Sequence, residues 1–192
     1  MISRKNNYEG FTGLEAAIVL IAFVVVAAVF SYVVLGAGFF TTQKSQEVVH
    51  TGVQQASSTL QIVGDVYGTG TTTPAQITGI NFTIALAPGG TPVDISKMAI
   101  TYSTSAYVET LSPASTSAVS VPTTSQWGVR AIRNGGTDLL LDKGEQFDIG
   151  VVPTQPLVPD QSFNLELKPI VGASLDIKRT APAGLHIVNV LY

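Results

Sequence analysis

The chain has 192 residues; 45% are hydrophobic and 12% are charged, about half the usual charged share. Its 10 basic and 13 acidic side chains give a formal charge of −3, which excludes a polycationic surface for nucleic acid. There is no cysteine, so disulfides, thiolate nucleophiles and cysteine-ligated metals are excluded, and packing alone must hold the fold.

A polar leader, "MISRKNNYEG", carries Arg4 and Lys5 and ends in Gly10. Glu15 follows, and then 28 residues from Ala16 to Gln43 pass without a charge. No proline interrupts Phe11 to Ala56, and the pattern predicts one continuous helix there. At ~1.5 Å per residue it would be a rod of about 70 Å, whereas a bilayer core needs only ~20 apolar residues. Beyond Gln43 the rod turns polar, with Lys44, Glu47 and His50, yet Val49, Val53 and Ala56 keep a narrow apolar seam. Such a seam implies packing against another helix or the chain's own globular part.

Near Thr59 the hydrophobic period changes to two. Leu60, Ile62 and Val66 share one face, with Gln61, Asp65 and Tyr67 on the other. After the breaker "GTGTTTP" come short alternating runs. They place Ile80, Phe82, Ile84 and Leu86 together, then Met98, Ile100 and Tyr102, then Trp127, Val129 and Ala131. Phe147, Ile149 and Val151 follow, then Phe163, Leu165 and Leu167. The last run sets Leu185, Ile187 and Asn189 against His186, Val188 and Val190. Residues 103–125, full of Ser and Thr, read as the most loop-like region. Seven or more short strands without a second helical pattern predict an all-β, immunoglobulin-like sandwich behind the long helix.

Three readings of the N-terminus compete. A conventional secretory signal has an apolar stretch of ~7–15 residues, and this run is about twice that. A plain membrane anchor would keep Arg4 and Lys5 in the cytoplasm and export the β domain. The third takes Gly10, Phe11 and Glu15 together. "EGFTGLEAAIVLIAFVVVAAVF" resembles the class III signal of type IV pilins and archaellins, the archaeal flagellins. That resemblance implies a cut between Gly10 and Phe11 by a prepilin-type signal peptidase, with the apolar segment kept as the start of the mature subunit. The cut removes Arg4, Lys5 and Glu9 and leaves 8 basic and 12 acidic residues, a net charge of −4.

The helix can then exchange lipid for a bundle of identical helices, helped by the assembly ATPase and membrane platform that the resemblance implies. Buried there, Glu15 requires a partner. The new α-amine of Phe11 on a neighbouring subunit is one, as in the family. The free N–H groups at the helix start are the other. The absence of cysteine, the all-β second half, and "FNLELKPIVGASLDIKRTAPAGLHIVNVLY" with its corner between strands look like archaellins. Phe11 and Glu15 lean toward pilins, so an adhesion pilus is the alternative.

Other chemistry is sparse. "NFT" at 81–83 is the only N-x-[ST] sequence, and alternation turns Asn81 outward, as N-glycosylation of an exported protein requires. Asp138, Asp142, Glu145 and Asp148 cluster without EF-hand spacing, and His50 and His186 lack a third ligand, so no metal site is expected. No catalytic motif or phosphate loop is present, and no cofactor is implied. Trp127 reads as core.

The organisation expected is therefore a cleaved leader (1–10), a filament-core helix (11–56) and an outer β domain (57–192). The resemblance implies a non-enzymatic subunit of an extracellular archaellum filament for swimming, self-associating after a precursor stage in the cytoplasmic membrane. A membrane-anchored β-sandwich binding protein is the rival from another class.

Overall fold

The computed structural model describes residues 8–73, 75–116 and 119–192, with the side chains of 8–12 and 56–57 outside the described set. Arg4 and Lys5 of the expected leader also lie outside it. The chain divides into two compact units, one ending at His50 and the other beginning at Thr51. One long α-helix, α1, runs from Tyr8 to Ser57, and a short 3-10 helix spans Ile95–Lys97.

The described residues of the second unit form eleven strands: β1 Leu60–Thr72, β2 Ala75–Leu86, β3 Val93–Asp94, β4 Ala99–Thr104, β5 Val108–Pro113, β6 Gln126–Arg133, β7 Leu140–Leu141, β8 Gln146–Val152, β9 Ser162–Lys168, β10 Leu175–Thr180 and β11 Val188–Leu191. Nine of them form one sheet in the order β10-β9-β4-β5-β6-β8-β2-β1-β11, and β3 pairs with β7 separately. All neighbours are antiparallel except β5 and β6, which meet in parallel through only two residue pairs, Ser112 with Gln126 and Pro113 with Trp127. At the two outer strands Thr180 N donates to Tyr192 O at 2.7 Å and Tyr192 N to Thr180 O at 3.4 Å. The sheet thus folds over its own core and almost closes.

The alternating residues supply that core. Leu60, Val66, Ile80, Phe82, Ile84, Leu86, Met98, Ile100 and Tyr102 are buried, as are Phe147, Ile149, Val151, Phe163, Leu165 and Leu167. Trp127 is buried with them. Each such side chain contributes roughly 1.5–3 kcal/mol through the apolar surface it removes from water.

Three expectations need correction. Ala131 does not follow Trp127 and Val129 inward, because the register of β6 against β8 shifts between Val129 and Ala131. This bulge, at Arg130, puts Ile132 opposite the buried Phe147 and packs it against the core. Ile187 is not a core residue: it is 70% exposed, since the last strand begins only at Val188. Asn189 does turn inward, where its amide accepts from His186 N at 2.8 Å and donates to His186 O at 2.7 Å. Finally, residues 103–125 are not simply a loop, because they contain β5, anchored by the buried Leu111.

Glu109 clasps the narrow β5–β6 junction. Its carboxylate accepts from the Ser125 hydroxyl, from Thr154 Oγ1 at 2.6 Å and from Thr154 N at 3.0 Å. Ser125 sits at a left-handed φ of 64°, a conformation uncommon outside glycine. Burial raises the Glu109 pKa, but the hydrogen bonds from Ser125 and Thr154 outweigh it, and the carboxyl lies below its ordinary range. A depressed folded pKa gives stability that is present above the unfolded value, about 4.3, and lost as pH falls through the folded one. Urea midpoints of the full chain should therefore drop more steeply in acid for the wild type than for Glu109→Gln. Parallel acid limbs would show that this carboxylate does not hold the seam.

Candidate assembly site

The helix α1 lacks the two-faced character of a helix lying on a soluble core. Apolar side chains surround it from Leu14 to Phe40, and the stretch Gly13–Gln55 is long and apolar enough to cross a membrane. In the single chain every residue of that stretch is exposed. Phe23 is 75% exposed and Phe30 69%. A contiguous apolar surface of this extent marks a site of interaction with lipid or protein.

The sequence turns polar at Thr41 and Thr42. Their hydroxyls donate to Ala37 O and Gly38 O, both at 2.8 Å, so neither is left unsatisfied at the end of the apolar segment. Lys44 and Glu47 then form an exposed ion pair at 2.6 Å, which contributes little to stability. Val49 and Val53 of the expected seam are exposed, and the side chain of Ala56 lies outside the described residues.

Sequence reading gave four glycines in α1 no role in assembly. A Cβ added at Gly13, Gly36, Gly38 or Gly52 would meet nothing within 4 Å. Each glycine lowers helix stability by about 1 kcal/mol relative to alanine, and no contact inside the chain requires it. Small residues of this kind allow a second helix to come close.

Gly10 and Phe11 lie inside the helical backbone of α1, while their side chains fall outside the described residues. Glu15 is exposed and is the only charge on α1 between Gly13 and Gln43. Asn81 sits in the middle of β2 on the outward, half-buried side, and Arg130 Nη1 donates to its Oδ1 at 2.6 Å.

The acidic cluster does not converge. Glu145 accepts from Gly136 N at 3.3 Å and Asp142 N at 3.0 Å, while Asp148 accepts from Arg133 Nε at 2.9 Å and Nη2 at 2.7 Å. Among the described residues no group of three or more His, Asp or Glu side chains is placed to hold a metal.

Comparison with known proteins bears on this helix-plus-sheet arrangement. Residues 10–179 match the model of the archaeal-type flagellin family. The chain is 44% identical to "Probable flagellin 1" of Archaeoglobus fulgidus over 97% of this chain and 96% of the relative. It is 36% identical to "Probable flagellin 1" of Aeropyrum pernix over 92% of this chain and 94% of that one. Among solved structures it is similar to the archaeal flagellum of Methanospirillum hungatei strain JF1, with a TM-score of 0.73 and 37% identity over 94% of this chain and 99% of that one.

Proposed function

From the premise that the chain belongs to the archaeal-type flagellin family, we propose an assembly route in which α1 is drawn from the membrane into a filament after its leader is cut. The protein is a structural subunit of the extracellular archaellum filament, which serves motility, and it catalyses no reaction. The observation that carries the route is the apolar helix exposed on all sides. Lipid covers such a helix in the precursor, and copies of the same helix cover it in the polymer. The unexplained glycines support close approach between those copies.

The cut falls between Gly10 and Phe11, made by a prepilin-type peptidase, so that 1–10 is leader, 11–56 filament core and 57–192 outer domain. The scissile bond lies in the first turns of α1, where backbone N–H groups lack intrahelical partners and fraying is cheap. An assembly ATPase on a membrane platform supplies the work of extraction. Sequencing the N-terminus of subunits from purified filaments tests the route. Phe11 as first residue supports it, and Met1 overturns it in favour of a permanent anchor.

Glu15 becomes the fifth residue of the mature subunit and pairs with the Phe11 α-amine of a neighbouring copy, fixing axial register. A carboxylate among apolar helices requires such a counter-charge. Glu15→Ala is expected to be cut normally but to give few or short filaments by electron microscopy. Filaments of ordinary number and length would remove the register role. Asn81, the one N-x-[ST] acceptor, carries an N-linked glycan on the outer domain; mass spectrometry of the peptide containing it tests this.

A further inference from the structure

Within the acceptor sequence Asn81-Phe82-Thr83, the fold engages all three residues. β2 is an inner strand, zipped on both sides. Asn81 is opposite Tyr67 of β1 and Gly150 of β8, Phe82 is opposite Ile149, and Thr83 is opposite Val63 and Asp148. Phe82 is buried in the core. Thr83 Oγ1 donates to Asp148 Oδ1 at 2.7 Å, and the other Asp148 oxygen is gripped by Arg133.

Arg130 holds the Asn81 amide from the β8 side. A guanidinium only donates, so the amide end facing it is Oδ1 and the free end is Nδ2. Gly150 makes room for this arrangement. A Cβ there would stand 2.6 Å from Arg130 Cδ and 3.3 Å from Asn81 Oδ1. On the other side of Asn81, Tyr67 and its cross-strand partner Val190 form an exposed row, a surface on which a first sugar can rest.

The folded sheet can therefore carry a substituent on Nδ2, but it does not present the segment to an enzyme. A transferase reading N-x-[ST] needs the amide and the hydroxyl together on an accessible segment, and here Asn81 Oδ1 and the Thr83 hydroxyl are both held within a strand paired on both sides. We propose that glycan transfer to Asn81 occurs only before β2 is zipped between β1 and β8, on the exported but still unfolded chain. The step joins Asn81 Nδ2 to the anomeric carbon of a lipid-linked oligosaccharide. The bond from that carbon to the carrier's phosphate breaks, and one amide proton is released. The inference rests on the reading of Asn81 as a glycan site.

The test offers two acceptors to membranes of the producing cells that contain the lipid-linked oligosaccharide. One is the folded, unmodified full chain in detergent, and the other is a peptide covering residues 76–88. Opening a core strand approaches global unfolding in free energy, so transfer to the folded chain should be slower by about 10³-fold or more. Transfer to the peptide alone, with glycan on Asn81 of native filaments, supports the order. Comparable transfer to both acceptors overturns the order while leaving the glycan site intact. A bare Asn81 in native filaments together with a refused peptide overturns the glycan site itself, and the inference with it.

Discussion

Cells carrying Val25→Asp are expected to lose their filaments altogether. Val25 lies deep in the uncharged run of α1 and is exposed in the single chain, so its surroundings are supplied entirely from outside. In the precursor an aspartate at the centre of a membrane helix costs about 2.5–3.5 kcal/mol. In a dry bundle of helices the penalty for an unpaired charge is several kcal/mol. Every copy in the polymer carries the same lesion, so no favourable neighbour can offset it. Glu15 stands at the head of the run, where the proposed leader cut would supply an amine to pair with it. Val25→Leu serves as the control and should assemble. Electron microscopy of cell surfaces, with immunoblots of the membrane fraction, reads both variants. Normal filaments from Val25→Asp would mean that this part of α1 is not enclosed in the polymer.

Trp127→Ala should remove much of the stability of the β domain. Trp127 is among the largest fully buried side chains, and it stands where β6 meets β5 through two residue pairs. Truncating a buried aromatic to alanine costs about 3–5 kcal/mol, against a total stability of roughly 5–15 kcal/mol for a domain. The indole N–H makes no hydrogen bond within the protein. Trp127→Phe therefore forfeits volume but no polar contact, and it should be much the milder change. Urea midpoints followed by far-UV circular dichroism compare the three proteins. Equal midpoints would show that the cavity collapses without loss.

What could be read from residues alone was whatever a buried face or a missing charge imposes. Phe147, Ile149 and Val151, or Phe163, Leu165 and Leu167, alternate because one side of their strand faces a core. The helix was plain because no amphipathic element could be so uniformly apolar. β5 was hidden because Leu111 is its only buried residue and its flanks are Ser and Thr. The bulge at Arg130 was invisible because composition does not mark where a ladder gains a residue. Its consequence, Ile132 inward in place of Ala131, follows only from register with β8. Ile187 misled because alternation in the sequence begins before β11 does. At the site, Glu15 and Asn81 could be named from motifs. The grip of Arg130 on Asn81 joins residues 49 apart in sequence, and strand order alone brings them together.

The bond pair between Thr180 and Tyr192 has a consequence for crowding. It caps one end of each outer strand, so another molecule's backbone cannot zip onto that end. Neighbouring copies brought side by side in a filament would be hindered from pairing edge to edge there. Under the proposed assembly route, cohesion would then fall to the greasy stems.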